Sequence, residues 1–107
     1  MALYSENMKK IRITAVKKVF HEDLAAMYEN PMRDACPVRE GDVFISSDAL
    51  CPEGFCQSAW HDLYPYVLAL ASGGGDFFDG WMKNPETAVI SCNDGVRPVS
   101  FLLETVR

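Results

Sequence analysis

The chain has 107 residues, 49% apolar and 23% charged, which is typical of one globular domain with a single core. Its net charge of −5 and its scattered basic residues disfavour nucleic-acid binding, which depends on patches that neutralise phosphates. No apolar stretch is long enough to span a bilayer, and residues 1–10 lack the apolar run of a signal peptide. We therefore expect a soluble cytoplasmic protein that binds neither nucleic acid nor membrane.

The first predicted element is a strand from Lys10 to about Phe20. Apolar and polar side chains alternate along its first half, as one buried and one solvated face require. The alternation slips near Val16, which allows either a bulge or an earlier end of the strand. Residues 1–9 are predicted to form a flexible tail, so the single domain spans 10–107.

A helix is predicted over residues 22–30, because acidic residues occupy its first turn and apolar residues follow at helical spacing. It ends before Pro31, and residues 31–41 are predicted to be a loop that carries Cys36. The β-branched and aromatic segment 42–46 predicts a short second strand.

The main helix is predicted to begin near Cys56 or Ser58 and to run to Ser72, with a wide apolar stripe that suits packing on a sheet. Pro65 removes a backbone hydrogen bond, so the helix is expected to be kinked or split there. The glycines at 73–75 are expected to end it.

The segment 76–85 is rich in aromatic residues, so we expect it to fold back onto the body and Trp81 to be covered. Strands are predicted over 87–92 and 98–106, joined by turn residues as an antiparallel hairpin. The order β-α-β-α-β-β predicts an α+β fold: a mixed four-stranded sheet, two helices on one face and a C-terminal hairpin.

The cysteines are the most unusual feature of the sequence. Cys36, Cys51 and Cys56 lie in predicted loops or at a helix start, and Cys92 ends a strand. Thiolates from separate loops hold zinc or iron–sulfur clusters in many proteins. No short Cys-x-x-Cys pair occurs here, however, and buried cysteines also serve as small core residues.

Cys56 is a candidate nucleophile, because the start of a helix stabilises negative charge on a thiol. His61 lies about 140° away around the helix and is poorly placed as its base. Trp60, His61, Tyr64 and Trp81 are candidates for a small-molecule pocket, although aromatic residues at helical spacing also form cores.

Several short motifs together resemble a known signature. They are Cys36-Pro37, Gly41-Asp42-x-Phe44, Pro52-x-Gly54-x-Cys56-x-x-Ala59-Trp60, Tyr64-Pro65-Tyr66-Val67 and Cys92-x-Asp94-Gly95-x-x-Pro98-Val99-x-Phe101. The pattern is similar to that of a family of short uncharacterised bacterial and archaeal proteins, over nearly the whole chain. The resemblance brings no function, but it places Cys36, Cys56 and Cys92 at signature positions and leaves Cys51 outside them.

Two functional hypotheses follow from the sequence, and neither requires an enzyme. The first is a small interaction module that self-associates, since a chain of this size with this aromatic content is expected to leave apolar surface to bury. The second is a thiolate metal-binding domain, with zinc or an iron–sulfur cluster, or a redox domain, that uses Cys36, Cys56 and Cys92.

Overall fold

The protein is described by a computed structural model that covers residues 8–32 and 36–107. Its elements in chain order are β1 (Ile11–Lys18), α1 (Glu22–Tyr28), β2 (Val43–Ser46), α2 (Gln57–Ala71), β3 (Thr87–Ser91) and β4 (Val99–Thr105). The predicted α+β class, with four strands in one sheet and two helices, is confirmed.

The sheet has the strand order β2-β1-β4-β3, and each pair of neighbouring strands is antiparallel. The prediction of a mixed sheet is therefore wrong. A strand-helix-strand order gives parallel neighbours only when the helix crosses over the sheet face. Here the helix between β1 and β2 has only 7 residues, and the chain turns back to pair its next strand antiparallel to β1.

The slip in alternation near Val16 marks a real irregularity. The register of β1 against β4 shifts between Ala15 and Lys17, so Val16 is the extra residue of a bulge. The strand then ends at Lys18, two residues before the predicted end. Both alternatives that the sequence left open, a bulge and an earlier end of the strand, therefore occur in β1.

Of the two helices in the described part of the chain, only α2 covers the sheet with buried side chains. It buries five residues at helical spacing, namely Ala59, Leu63, Val67, Leu70 and Ala71. The described residues of α1 include none that is buried, so the expectation of two helices packed on one face does not hold. Pro65 lies inside α2, which continues through it as one helix, and Gly73 follows its end at φ +90°.

The core lies between α2 and the inner face of the two central strands. Ile11 and Ile13 of β1 and Phe101 and Leu103 of β4 are fully buried there. Of the predicted tail, residues 1–7 lie outside the described residues. Met8 packs against the core, and the Lys9 N–H donates a hydrogen bond to the carbonyl of Ala71 at 2.8 Å.

Candidate functional site

Three of the four cysteines share one cavity at the start of α2. Cys36 comes from the connection before β2, Cys56 directly precedes α2, and Cys92 follows β3. The cavity has a volume of about 230 Å³, and Asp94 and Arg97 also line it. Residues far apart in sequence therefore line one cavity. The sequence indicated them by their positions at the ends of elements and by the motif resemblance, which left Cys51 out.

Cys56 is held in place by its neighbours on both sides. Phe55 is buried, and its ring centroid lies 4.8 Å from that of Phe44 and 5.4 Å from that of Phe101. On the other side, the Trp60 N–H donates to the Cys56 carbonyl at 2.9 Å, which closes the first turn of the helix. The backbone at Cys56 is thereby held between the buried Phe55 ring and the start of the helix.

Cys92 is fixed by the hairpin. Its N–H donates to the Val99 carbonyl at 3.0 Å, and its sulfur accepts the Val99 N–H at 3.3 Å. A polar contact of 3.3 Å between Ser58 Oγ and Asn93 Oδ1 then joins the start of α2 to the turn beside Cys92. The two cysteine-bearing segments are thus tied to each other as well as to the fold.

Cys36 enters the cavity from a segment held by Lys18. The Lys18 ammonium donates to the carbonyl of Cys36 at 3.0 Å and to that of Val38 at 2.9 Å. Val38 itself is buried in the core. The end of β1, where Lys18 lies, therefore positions the third thiol.

Asp94 organises the turn that forms one side of the cavity. One of its carboxylate oxygens accepts the N–H groups of Arg97 at 2.9 Å and of Val96 at 2.8 Å. These two hydrogen bonds, that from Arg97 first, lower the pKa of Asp94 against the opposing effect of burial. The sequence predicted a turn here but gave no indication that its carboxylate would border the thiols.

Arg97 supplies a buried cation beside the thiols. Only 9% of it is exposed, and its guanidinium makes two hydrogen bonds to the carboxylate of Glu29, at 2.8 and 3.3 Å. Its Cζ atom also lies 5.2 Å from the centre of the Phe20 ring. Because Glu29 follows α1, this pair links the short helix to the cavity wall.

Cys51, the fourth cysteine, does not line this cavity. Its sulfur lies 3.5 Å from the Gln57 side-chain amide, which donates to it. Burial raises the pKa of Cys51, and the nearby charge of Cys56 raises it further, while the Gln57 hydrogen bond opposes both. Cys51 therefore lies outside the cavity but close enough to Cys56 to interact with its charge.

The cavity does not form a ready metal site. Within the described part of the chain, no group of three His, Cys, Asp or Glu side chains is arranged to hold a metal ion. All four cysteines are free thiols. Zinc or a cluster would need the cysteines to move toward a common point.

The proposed aromatic pocket is assembled only in part. The Trp60 and Tyr64 rings lie 5.6 Å apart on α2, and His61 between them in sequence is exposed. Trp81 instead pairs with Phe78 at 5.2 Å and is 79% exposed. The expectation that the body of the protein covers Trp81 is wrong, although Phe77 in the same loop does pack against Tyr66, at 5.2 Å.

Comparison of the chain with models of known protein families, with characterised proteins and with solved structures gives no significant match. The family resemblance drawn from the sequence motifs therefore stays a prediction. None of the helices that the structure describes is long and apolar enough to cross a membrane.

Proposed function

We propose that the cavity is a thiol–disulfide redox site, with Cys56 as the attacking thiol and Cys36 or Cys92 as the resolving thiol. The observation that carries the proposal is that these three cysteines line a single cavity while Cys51 does not. A redox site of this kind needs two thiols within reach of each other and of a substrate.

The surroundings of Cys56 suit this role. It directly precedes a helix of 15 residues, and the first N–H groups of a helix lack intrahelical partners and stabilise negative charge. Cys56 is partly buried rather than enclosed, as reactive cysteines generally are. Arg97 adds positive charge to the same wall, moderated by its pairing with Glu29.

The reaction would be exchange with a disulfide-bonded substrate. The Cys56 sulfur, after losing its proton to solvent, attacks one sulfur of the substrate disulfide and releases the other as a thiolate. The second cysteine, likewise deprotonated, then attacks the Cys56 sulfur and releases the remaining substrate thiolate. The protein ends with one disulfide and the substrate with two thiols, so two electrons pass from the protein to the substrate.

Oxidation in glutathione buffers of graded poise, followed by acid quenching and peptide mapping, tests this proposal. We expect a disulfide joining Cys56 to Cys36 or Cys92, lost in Cys56→Ser and retained in the matched control Cys51→Ser. Replacing the resolving cysteine with serine should leave Cys56 as a mixed disulfide with glutathione. A protein in which Cys56→Ser and Cys51→Ser form the same intramolecular disulfide would overturn the proposal.

A second candidate is capture of zinc or an iron–sulfur cluster by Cys36, Cys56 and Cys92. Their shared cavity favours it, and the N–H that Val99 donates to the Cys92 sulfur is the kind of contact that supports a thiolate ligand. Elemental analysis and an absorbance spectrum of anaerobically purified protein distinguish the redox function from the metal-binding function. Near-stoichiometric metal that Cys36→Ser removes and Cys51→Ser keeps would favour this candidate, and metal-free protein would exclude it.

A further inference from the structure

The face of the sheet opposite α2 carries a cross-strand row in which three of the four residues are apolar. In the strand register, Val43 of β2 lies beside Thr14 of β1, Thr14 beside Leu102 of β4, and Leu102 beside Val89 of β3. Val43 is 53% exposed and Val89 is 49% exposed, at the two ends of the row. The row crosses all four strands on the face that α2 does not cover.

The next row on this face has opposite charges at its centre. Arg12 of β1 pairs in register with Glu104 of β4, and their side chains form an ion pair of 3.2 Å. Ile45, which is exposed, continues this row onto β2. This row therefore has one positive and one negative position side by side on the two central strands, next to the mainly apolar row.

This arrangement is complementary to itself. A two-fold axis that runs along the strands, between β1 and β4, places Arg12 of each copy opposite Glu104 of the other. The same operation places Val43 opposite Val89, because these residues sit at matching distances on either side of the axis. It also leaves the strands of the two sheets aligned, as in ordinary face-to-face packing about 10 Å apart.

We propose that two copies of the chain associate through this open face, with Arg12 and Glu104 exchanging partners between copies. Two features single out a second copy as the occupant: the charges meet their opposites and the apolar ends meet each other under one symmetry operation. The proposal is independent of the thiol chemistry, since α2 and its cavity lie on the other side of the sheet.

Sedimentation velocity over a range of concentrations tests it. The wild type should show a concentration-dependent dimer. Arg12→Glu should raise the dissociation constant about tenfold or more, because the substitution places like charges opposite each other at two equivalent positions. Lys83→Glu makes the same charge change in an exposed loop and should leave the dimer intact.

The double variant with Arg12→Glu and Glu104→Arg provides the decisive check. It restores opposite charges across the interface and should recover dimerisation. Val89→Lys, at an exposed position, should weaken the dimer without unfolding the chain, as circular dichroism would show. A wild type that stays monomeric at the highest concentration, or equal effects of Arg12→Glu and Lys83→Glu, would overturn the proposal.

Discussion

The loops at the two ends of α2 are held by different kinds of contact. Around its N-terminal end, polar side chains from separate segments meet: Ser58 contacts Asn93, and Arg97 pairs with Glu29. Beyond its C-terminal end, Asp76 bonds to Gly80 and to Pro85 of its own loop, and Trp81 projects into solvent. Long-range polar contacts thus coincide with the thiol cavity, whereas aromatic content alone has not produced an enclosed pocket.

The contacts at the N-terminal end should be the costlier to break, and the largest effect is expected from Glu29→Ala. It removes the carboxylate that pairs with the buried Arg97 guanidinium. We expect a loss of about 2 kcal/mol in the free energy of unfolding, reduced from the cost of a fully buried pair because Glu29 is partly exposed. Chemical denaturation measures this. Glu22→Ala, on the exposed side of α1, is the control and should change little.

A smaller effect is expected from Asp94→Ala, which removes the acceptor for two backbone N–H groups. We expect a loss of about 1 kcal/mol at neutral pH. Because the pKa of Asp94 is lowered in the folded protein, its contribution is fully present above the unfolded carboxyl pKa of about 3.9. It is lost as the pH falls through the lower folded value.

Unfolding curves of wild type and Asp94→Ala at several pH values therefore check the sign. The free energies of unfolding of the two proteins should differ most near neutral pH and become equal in acid. Asp94→Asn isolates the contribution of the charge, because it keeps an oxygen acceptor. Its free energy of unfolding should lie between those of the wild type and Asp94→Ala. A difference that grows as the pH is lowered would contradict the assignment.

The smallest effect is expected at the C-terminal end of α2, from Trp81→Ala. Because 79% of Trp81 is exposed, its loss should change the free energy of unfolding by no more than about 0.5 kcal/mol. Phe77→Ala is the matched comparison, since Phe77 packs against Tyr66 and should cost more. Equal losses for the two variants would show that Trp81 is held by contacts like those of Phe77.

Much of the fold could be predicted from local patterns in the sequence. Strand alternation, an irregularity near Val16 and the glycine that ends α2 were all predictable, because each depends on neighbouring residues. The antiparallel pairing of β2 was not predictable in this way, because it depends on the path that the chain takes between β1 and β2. A short helix with no buried side chain leaves little pattern from which to infer its place.

The residues of the candidate site likewise fall into those that the sequence indicated and those that it did not. All four cysteines could be identified as candidates from the sequence, since thiols are rare and chemically distinctive. Only the motif resemblance separated Cys36, Cys56 and Cys92 from Cys51. Asp94 and Arg97 could not, because charged residues near turns are common and their roles arise from contacts with Val96 and Glu29. Exposure of Trp81 was missed for the opposite reason, since aromatic residues are usually covered.

The most direct test of the account is a peptide map of the wild-type protein equilibrated at one oxidising glutathione poise. We expect a single intramolecular disulfide containing Cys56 and a partner from the cavity, with Cys51 reduced. Cys51 is expected to stay reduced because it lies outside the cavity, where its sulfur accepts the Gln57 side-chain amide. A map in which Cys51 is oxidised while Cys36, Cys56 and Cys92 all remain reduced would contradict it.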